Sequence, residues 1–95
     1  MNDFKINAAI QLLPIDTEKK RWDVVDKAIA IIQESGLNYK VCPFETVIEG
    51  DPTQVYAVIE NIRKESLNHA QEILINIKIH AANRDLRFSE KLEKY

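Results

Sequence analysis

The chain has 95 residues, 45% of them hydrophobic and 29% charged, with a formal net charge of −2. That length is expected to hold one compact domain, 1–95, and is too short for two. Basic residues alternate with acidic ones, as in "DTEKKRWD" and "SEKLEKY", so no basic face argues for nucleic acid. No apolar run approaches the roughly 20 residues of a membrane helix. The start, "MNDFKINAAI", lacks the basic and apolar regions of a secretory leader. The single cysteine, Cys42, has no partner for an internal disulfide, and a reducing, cytoplasmic setting is expected.

In chain order, "FKINAAIQLLPI" alternates as a strand, with Ile6, Ala8, Ile10 and Leu12 on one face. Asn7, Ala9, Gln11 and Leu13 take the other face, and Pro14 ends the run. "DTEKKRWDVVDKAIAIIQESG" reads as a helix on a stripe of Trp22, Val25, Ile29 and Ile32, widened by Ala28 and Ile31. Asp16 or Thr17 opens it, and Gly36 stops it in the left-handed region. Trp22, on the stripe, is expected in the core.

"LNYKVC" and "ETVIE" form two further strands, joined through Pro43 and Phe44 and expected to pair antiparallel. Asp51, Pro52 and Gln54 then open a second helix as cap, first residue and capping-box residue. Its stripe is Val55, Val58, Ile59 and Ile62. "EILINIKIHA" is the fourth strand, with Ile73, Ile75, Ile77 and Ile79 on the helix side and Leu74, Asn76, Lys78 and His80 opposite. The tail "ANRDLRFSEKLEKY" reads as a loop and one short element.

The order β-α-β-β-α-β is the α+β ferredoxin-like plan: a four-stranded antiparallel sheet with two helices on one face. The other face is expected to lack a helix cover. Its mixture of Asn7, Gln11, Leu13, Leu74, Asn76 and Lys78 suits packing against the sheet of a second copy.

The pieces "INAAIQLLPI", "VVDKAIAIIQESGLNYKVCPFETVIEGD", "ILINIKIH" and "KLEKY" resemble, in order and spacing, the YkoF-like thiamine-binding protein family. The most specific piece is "SGLNYKVCPFETVIEGD", which carries Thr46, Glu49 and Gly50 in a Thr-x-Ile-Glu-Gly motif. The resemblance implies a ferredoxin-like fold, sheet-to-sheet homodimers that can pair into homotetramers, and binding of thiamine or hydroxymethylpyrimidine near the subunit interface, without chemistry or cofactor. This chain departs from the family pattern at Asp16, at Glu45, at "DTEKKRW" and at "HAANRDL".

A thiamine site needs a polar group at the pyrimidine edge, a flat apolar face, and negative potential for the thiazolium. Glu49 is the candidate acceptor for the ring amine; its alternative role is a strand end that supports the Asp51 cap. Thr46 is a candidate contact, or simply a β-favouring residue. Regular alternation puts Thr46 and Glu49 on opposite faces. Gly50 is expected to make a tight turn at positive φ. Tyr39 and Phe44 are candidate ring contacts, with core or interface as the alternative. Asn7, Gln11 and Asn76 could read polar ligand atoms or a partner.

Cys42, His69 and His80 lack metal-ligand spacing, and no phosphate loop or nucleophile motif occurs. An RNA-recognition version of the fold needs aromatic and basic residues on strands that read "KINAAIQLL" and "ETVIE". An acylphosphatase-like enzyme needs an anion loop where the chain reads "PIDTEKKR". What the resemblance implies is a non-catalytic small-molecule binder, and the alternative is an oligomeric regulatory or assembly module with another ligand or none.

Overall fold

The structure, a computed structural model, describes residues 4 to 93 and residue 95. Met1 to Asp3, where the leader reading begins, and Lys94 of "KLEKY" lie outside the described residues.

The elements run β1 (Ile6–Pro14), α1 (Glu18–Glu34), β2 (Asn38–Val41), β3 (Thr46–Gly50), α2 (Pro52–Leu67), β4 (Ile73–His80) and α3 (Phe88–Leu92). The four strands form one antiparallel sheet in the order β2-β3-β1-β4. Each βαβ half thus inserts its strand beside the other half, as the split βαβ plan requires.

The core lies between the sheet and α1 and α2. Ile6, Ala8 and Ile10 of β1 and Ile48 of β3 meet Ala28 and Ile32 of α1 and Val55, Val58 and Ile62 of α2. Both helices place an i, i+4 row against the sheet. Thr17 and Asp51 are the N-caps, in extended conformation, without side-chain cap hydrogen bonds. The expected capping box with Gln54 does not form; the Asp51 carbonyl instead accepts the Val55 N–H at 3.0 Å. Gly36, at φ 78, is the one positive-φ residue among the described residues, and it turns the chain out of α1 into β2.

Four expectations need correction. The core row of α1 is Val24, Ala28 and Ile32, not the row through Trp22, and Trp22 is 62% exposed. The apolar surface of α1 is wider than the sheet can cover, so Trp22, Val25 and Ile29 form a flank beside the core row. Second, Ile77 and Ile79 sit on the helix side of β4 but are each 40% exposed. β4 is an edge strand, and the helices pack mainly over β1 and β3. Third, Gly50 does not adopt positive φ. It pairs with Ile6 as a regular strand residue, and a Cβ there would come within 2.9 Å of a Leu37 methyl. Space for Leu37, rather than backbone freedom, is what glycine supplies. Fourth, the far face of the sheet is not bare, because the C-terminal segment folds back onto part of it.

Candidate functional site

Strand register divides the candidate residues between two surfaces. Ile10 pairs with Thr46, Ala8 with Ile48 and Ile6 with Gly50, so Thr46 and Gly50 point to the helix side. Asn7 pairs with Glu49, placing both on the far face. Thr46 and Glu49 therefore face opposite ways, as strand alternation dictates.

On the helix side a cleft of about 390 Å³ opens between the α1 flank and the β2–β3 hairpin. Small-molecule sites commonly have volumes of roughly 300–1,000 Å³. Trp22, Val25 and Ile29 form one wall, and Pro43, Phe44 and the buried Thr46 belong to the other. Phe44 stands at the hairpin tip, 83% exposed. Glu18 and Glu45 bring two carboxylates to the lining, against one guanidinium from Arg21. An apolar slot between two aromatic residues, with an excess of negative charge, suits a flat cationic ring. Trp22 was not among the residues expected at a site. The available signal was its spacing with Val25 and Ile29, which marks a second stripe beside the core stripe.

Tyr39 pairs with Ile48, which puts it on the helix side of edge strand β2, outside the cleft lining. Gln11 projects from the far face, where its Oε1 accepts a hydrogen bond from Asn76 Nδ2 at 3.1 Å.

Asn7 and Glu49 hold the C-terminal segment. Asn7 is 3% exposed and uses both polar atoms: Nδ2 donates to the Leu86 carbonyl at 3.2 Å, and Oδ1 accepts from Lys91 Nζ at 2.9 Å. Glu49 Oε1 accepts the Phe88 N–H at 2.8 Å, satisfying an N–H that the first turn of α3 leaves without a helical partner. Two further bonds tie the segment to the chain before β1. The Leu86 N–H donates to the Lys5 carbonyl at 3.0 Å, and the Lys5 N–H donates to Asp85 Oδ1 at 2.8 Å. Leu86 itself is buried. The carboxylate at Glu49 thus has a structural partner 39 residues away in sequence.

Among the described residues there is no cluster of three or more His, Cys, Asp or Glu that could hold a metal. No described helix is long and apolar enough to cross a membrane.

Residues 8–95 match the profile described as thiamine-binding protein. The chain belongs to this family. Other proteins resemble it along nearly its whole length. A UPF0045 protein of Clostridium perfringens is 27% identical over 90 residues, covering 94% of this chain and 95% of its own. A solved domain of unknown function from Bacillus cereus is 30% identical with a TM-score of 0.89, over 97% of this chain and 90% of that one. A candidate thiamine biosynthesis/salvage protein of Thermotoga maritima superposes with a TM-score of 0.91 over 96% of this chain and 98% of that one. At 23% identity this last likeness shows the shared fold.

Proposed function

We propose that this thiamine-binding family member acts as one cytoplasmic domain that binds thiamine, or its hydroxymethylpyrimidine part, reversibly and without chemistry. Its role would be that of carrier, buffer or sensor. The observation that carries this reading is the cleft between Trp22 and Phe44. It has the size and apolar walls for a small heteroaromatic ring, and Glu18 and Glu45 offset the thiazolium charge. The Thr46 hydroxyl and the Glu45 carboxylate are the polar groups we assign to the ring edge. The family match supports the ligand class. In this reading Glu49 and Asn7 act indirectly, by holding α3, and Gln11, Tyr39 and Gly50 shape the surroundings.

The sole tryptophan of the chain stands in this cleft, so its emission reports the site directly. Titration with thiamine is expected to change Trp22 fluorescence and to give the same affinity by calorimetry. Phe44→Ala is expected to weaken binding about tenfold, from lost ring contact and apolar cover. Binding seen by calorimetry with silent Trp22 emission would move the site to the far sheet face. Absence of heat with both thiamine and hydroxymethylpyrimidine would favour a ligand-free assembly module.

We further propose that two copies pair through the far sheet face. Leu13 and Leu74 are cross-strand partners there, 41% and 52% exposed, beyond the part of the face that α3 covers. A dimer mass is expected in light scattering at tens of micromolar, roughly the range in which a moderate interface is populated. Leu74→Lys, which sets a charge on the proposed pairing surface, is expected to give monomers with an unchanged circular dichroism spectrum. A wild-type protein that is monomeric at that concentration removes the pairing.

A further inference from the structure

A second groove, of about 320 Å³, lies between α3 and the far face of the sheet. It shares only Cys42 and Glu45 with the thiamine cleft. Its floor is set by one cross-strand row: Lys40 pairs with Val47, Val47 with Ala9, and Ala9 with Lys78. The small side chains of Ala9 and Val47 leave depth in the middle of the sheet, and the two lysines flank it from opposite edge strands. α3 adds Phe88 as an apolar wall and Lys91 as a third cation, held in place by Asn7 Oδ1.

The charge balance there opposes that of the molecule. Lys40, Lys78 and Lys91 meet one lining carboxylate, Glu45, giving a formal +2 with His80 neutral, in a chain of net charge −2. Glu49, in the neighbouring row, is turned to the Phe88 N–H, and including it still leaves an excess of positive charge. None of the three ammonium groups forms an ion pair among the described residues. Exposed lysines without carboxylate partners among the described residues, flanking an apolar floor, offer charge-assisted contacts to an anion that also carries an apolar body.

We propose that this groove is a binding site for a small aromatic phosphomonoester. The phosphate, with a charge of about −1.5 to −2 near neutrality, matches the lysine excess. The ring lies on Ala9 and Val47 against Phe88. A carboxylate carries half that charge and matches the excess less well. The asparagine and glutamate that dock α3 thereby acquire a purpose: they bring Lys91 and Phe88 over the row between Lys40 and Lys78. The groove lies towards the opposite end of the face from Leu13 and Leu74.

The test is a titration of the full chain with phenyl phosphate, followed by NMR shifts of the Ala9 and Val47 amides. Benzoate, benzyl alcohol and inorganic phosphate are the comparison probes. Saturable shifts are expected at both amides, with phenyl phosphate at least about tenfold tighter than each comparison probe. Lys78→Met and Lys40→Met keep the aliphatic stems at exposed positions, and each is expected to weaken phenyl phosphate about tenfold. The thiamine response of Trp22 should stay unchanged in both variants, which separates this site from the cleft. Equal affinity for inorganic phosphate reduces the groove to an adventitious ion only. Equal affinity for benzyl alcohol, or unchanged affinity in both variants, overturns the proposal.

Discussion

Ile48→Ala is expected to lower the unfolding free energy by about 3–5 kcal/mol, towards the upper end of large-to-small core replacements. Ile48 is 0% exposed and sits in β3 between Ala8 and Tyr39 on the helix side. It belongs to the cluster formed with Ala28 and Ile32 of α1 and Val55, Val58 and Ile62 of α2. Truncation removes three carbons from a site whose neighbours are fixed by both helices and two adjacent strands. The cavity cannot collapse without moving one of those elements, so the cavity cost adds to the lost transfer energy. Domains of this size are stable by about 5–15 kcal/mol, so the loss is a large share of the total. A loss of about 3 kcal/mol corresponds to a fall in Tm of about 12–24 °C. Chemical denaturation and calorimetry read both quantities. A loss below about 1.5 kcal/mol would mean that α2 relaxes onto the sheet.

Asn7→Leu is the second substitution with a large expected effect, because Asn7 joins three parts of the molecule. Its amide donates to the Leu86 carbonyl and its oxygen receives the Lys91 ammonium, while its backbone lies in β1 between β3 and β4. Leucine keeps the branched heavy-atom shape, at somewhat larger volume, and removes both bonds. Lys91 is exposed and regains water, but Leu86 is buried, and its carbonyl loses its side-chain partner in a dry setting. An orphaned buried carbonyl costs about 1–3 kcal/mol. The expected outcome is a stability loss in that range, with amide exchange at Leu86 and Phe88 accelerated more than exchange in β1. No described buried side-chain nitrogen or oxygen lacks a partner in the native protein, Asn7 included. Unchanged protection at Phe88 would show that Glu49 and the Lys5 pairing suffice to hold α3.

The two helix rows show how far pattern reading reaches. In α2, Val55, Val58 and Ile62 appear in the sequence as a stripe and are buried in the fold. In α1, apolar residues occupy too many positions for one stripe. Ile32 belongs to two possible rows, one through Val24 and Ala28 and one through Trp22, Val25 and Ile29. Periodicity cannot choose between rows that differ by a small rotation of the helix. The rotation is set by packing over β1 and β3, which buries the row with the small Ala28 and leaves the row with the large Trp22 at the cleft. The same ambiguity conceals the candidate site, since its principal aromatic residue reads as a core residue.

Glu49 shows the other limit. A carboxylate in a strand invites a ligand reading, and local sequence offers only the neighbouring Asp51 cap as an alternative. Its observed partner, the Phe88 N–H, belongs to a segment with little hydrophobic pattern. Asn7 has the same history, with partners at Leu86 and Lys91. Polar side chains select partners by geometry over long sequence separations, and no periodicity records that choice.

The β-α-β-β-α-β order, the alternation that separates Thr46 from Glu49, the left-handed stop at Gly36 and the resemblance to the thiamine-binding family are all legible in the amino-acid order. These follow from local patterns: strand and helix periods, a glycine requirement, and a motif spaced along one stretch of chain. The placement of Trp22 at a cleft, the uncovered Ile77 and Ile79 on an edge strand, and the folding of residues 85–92 over the far sheet face emerge from three-dimensional packing alone. Each of these depends on helix rotation, strand position or long-range hydrogen bonding. They are set by the competition of whole surfaces for burial, which no short window of sequence contains.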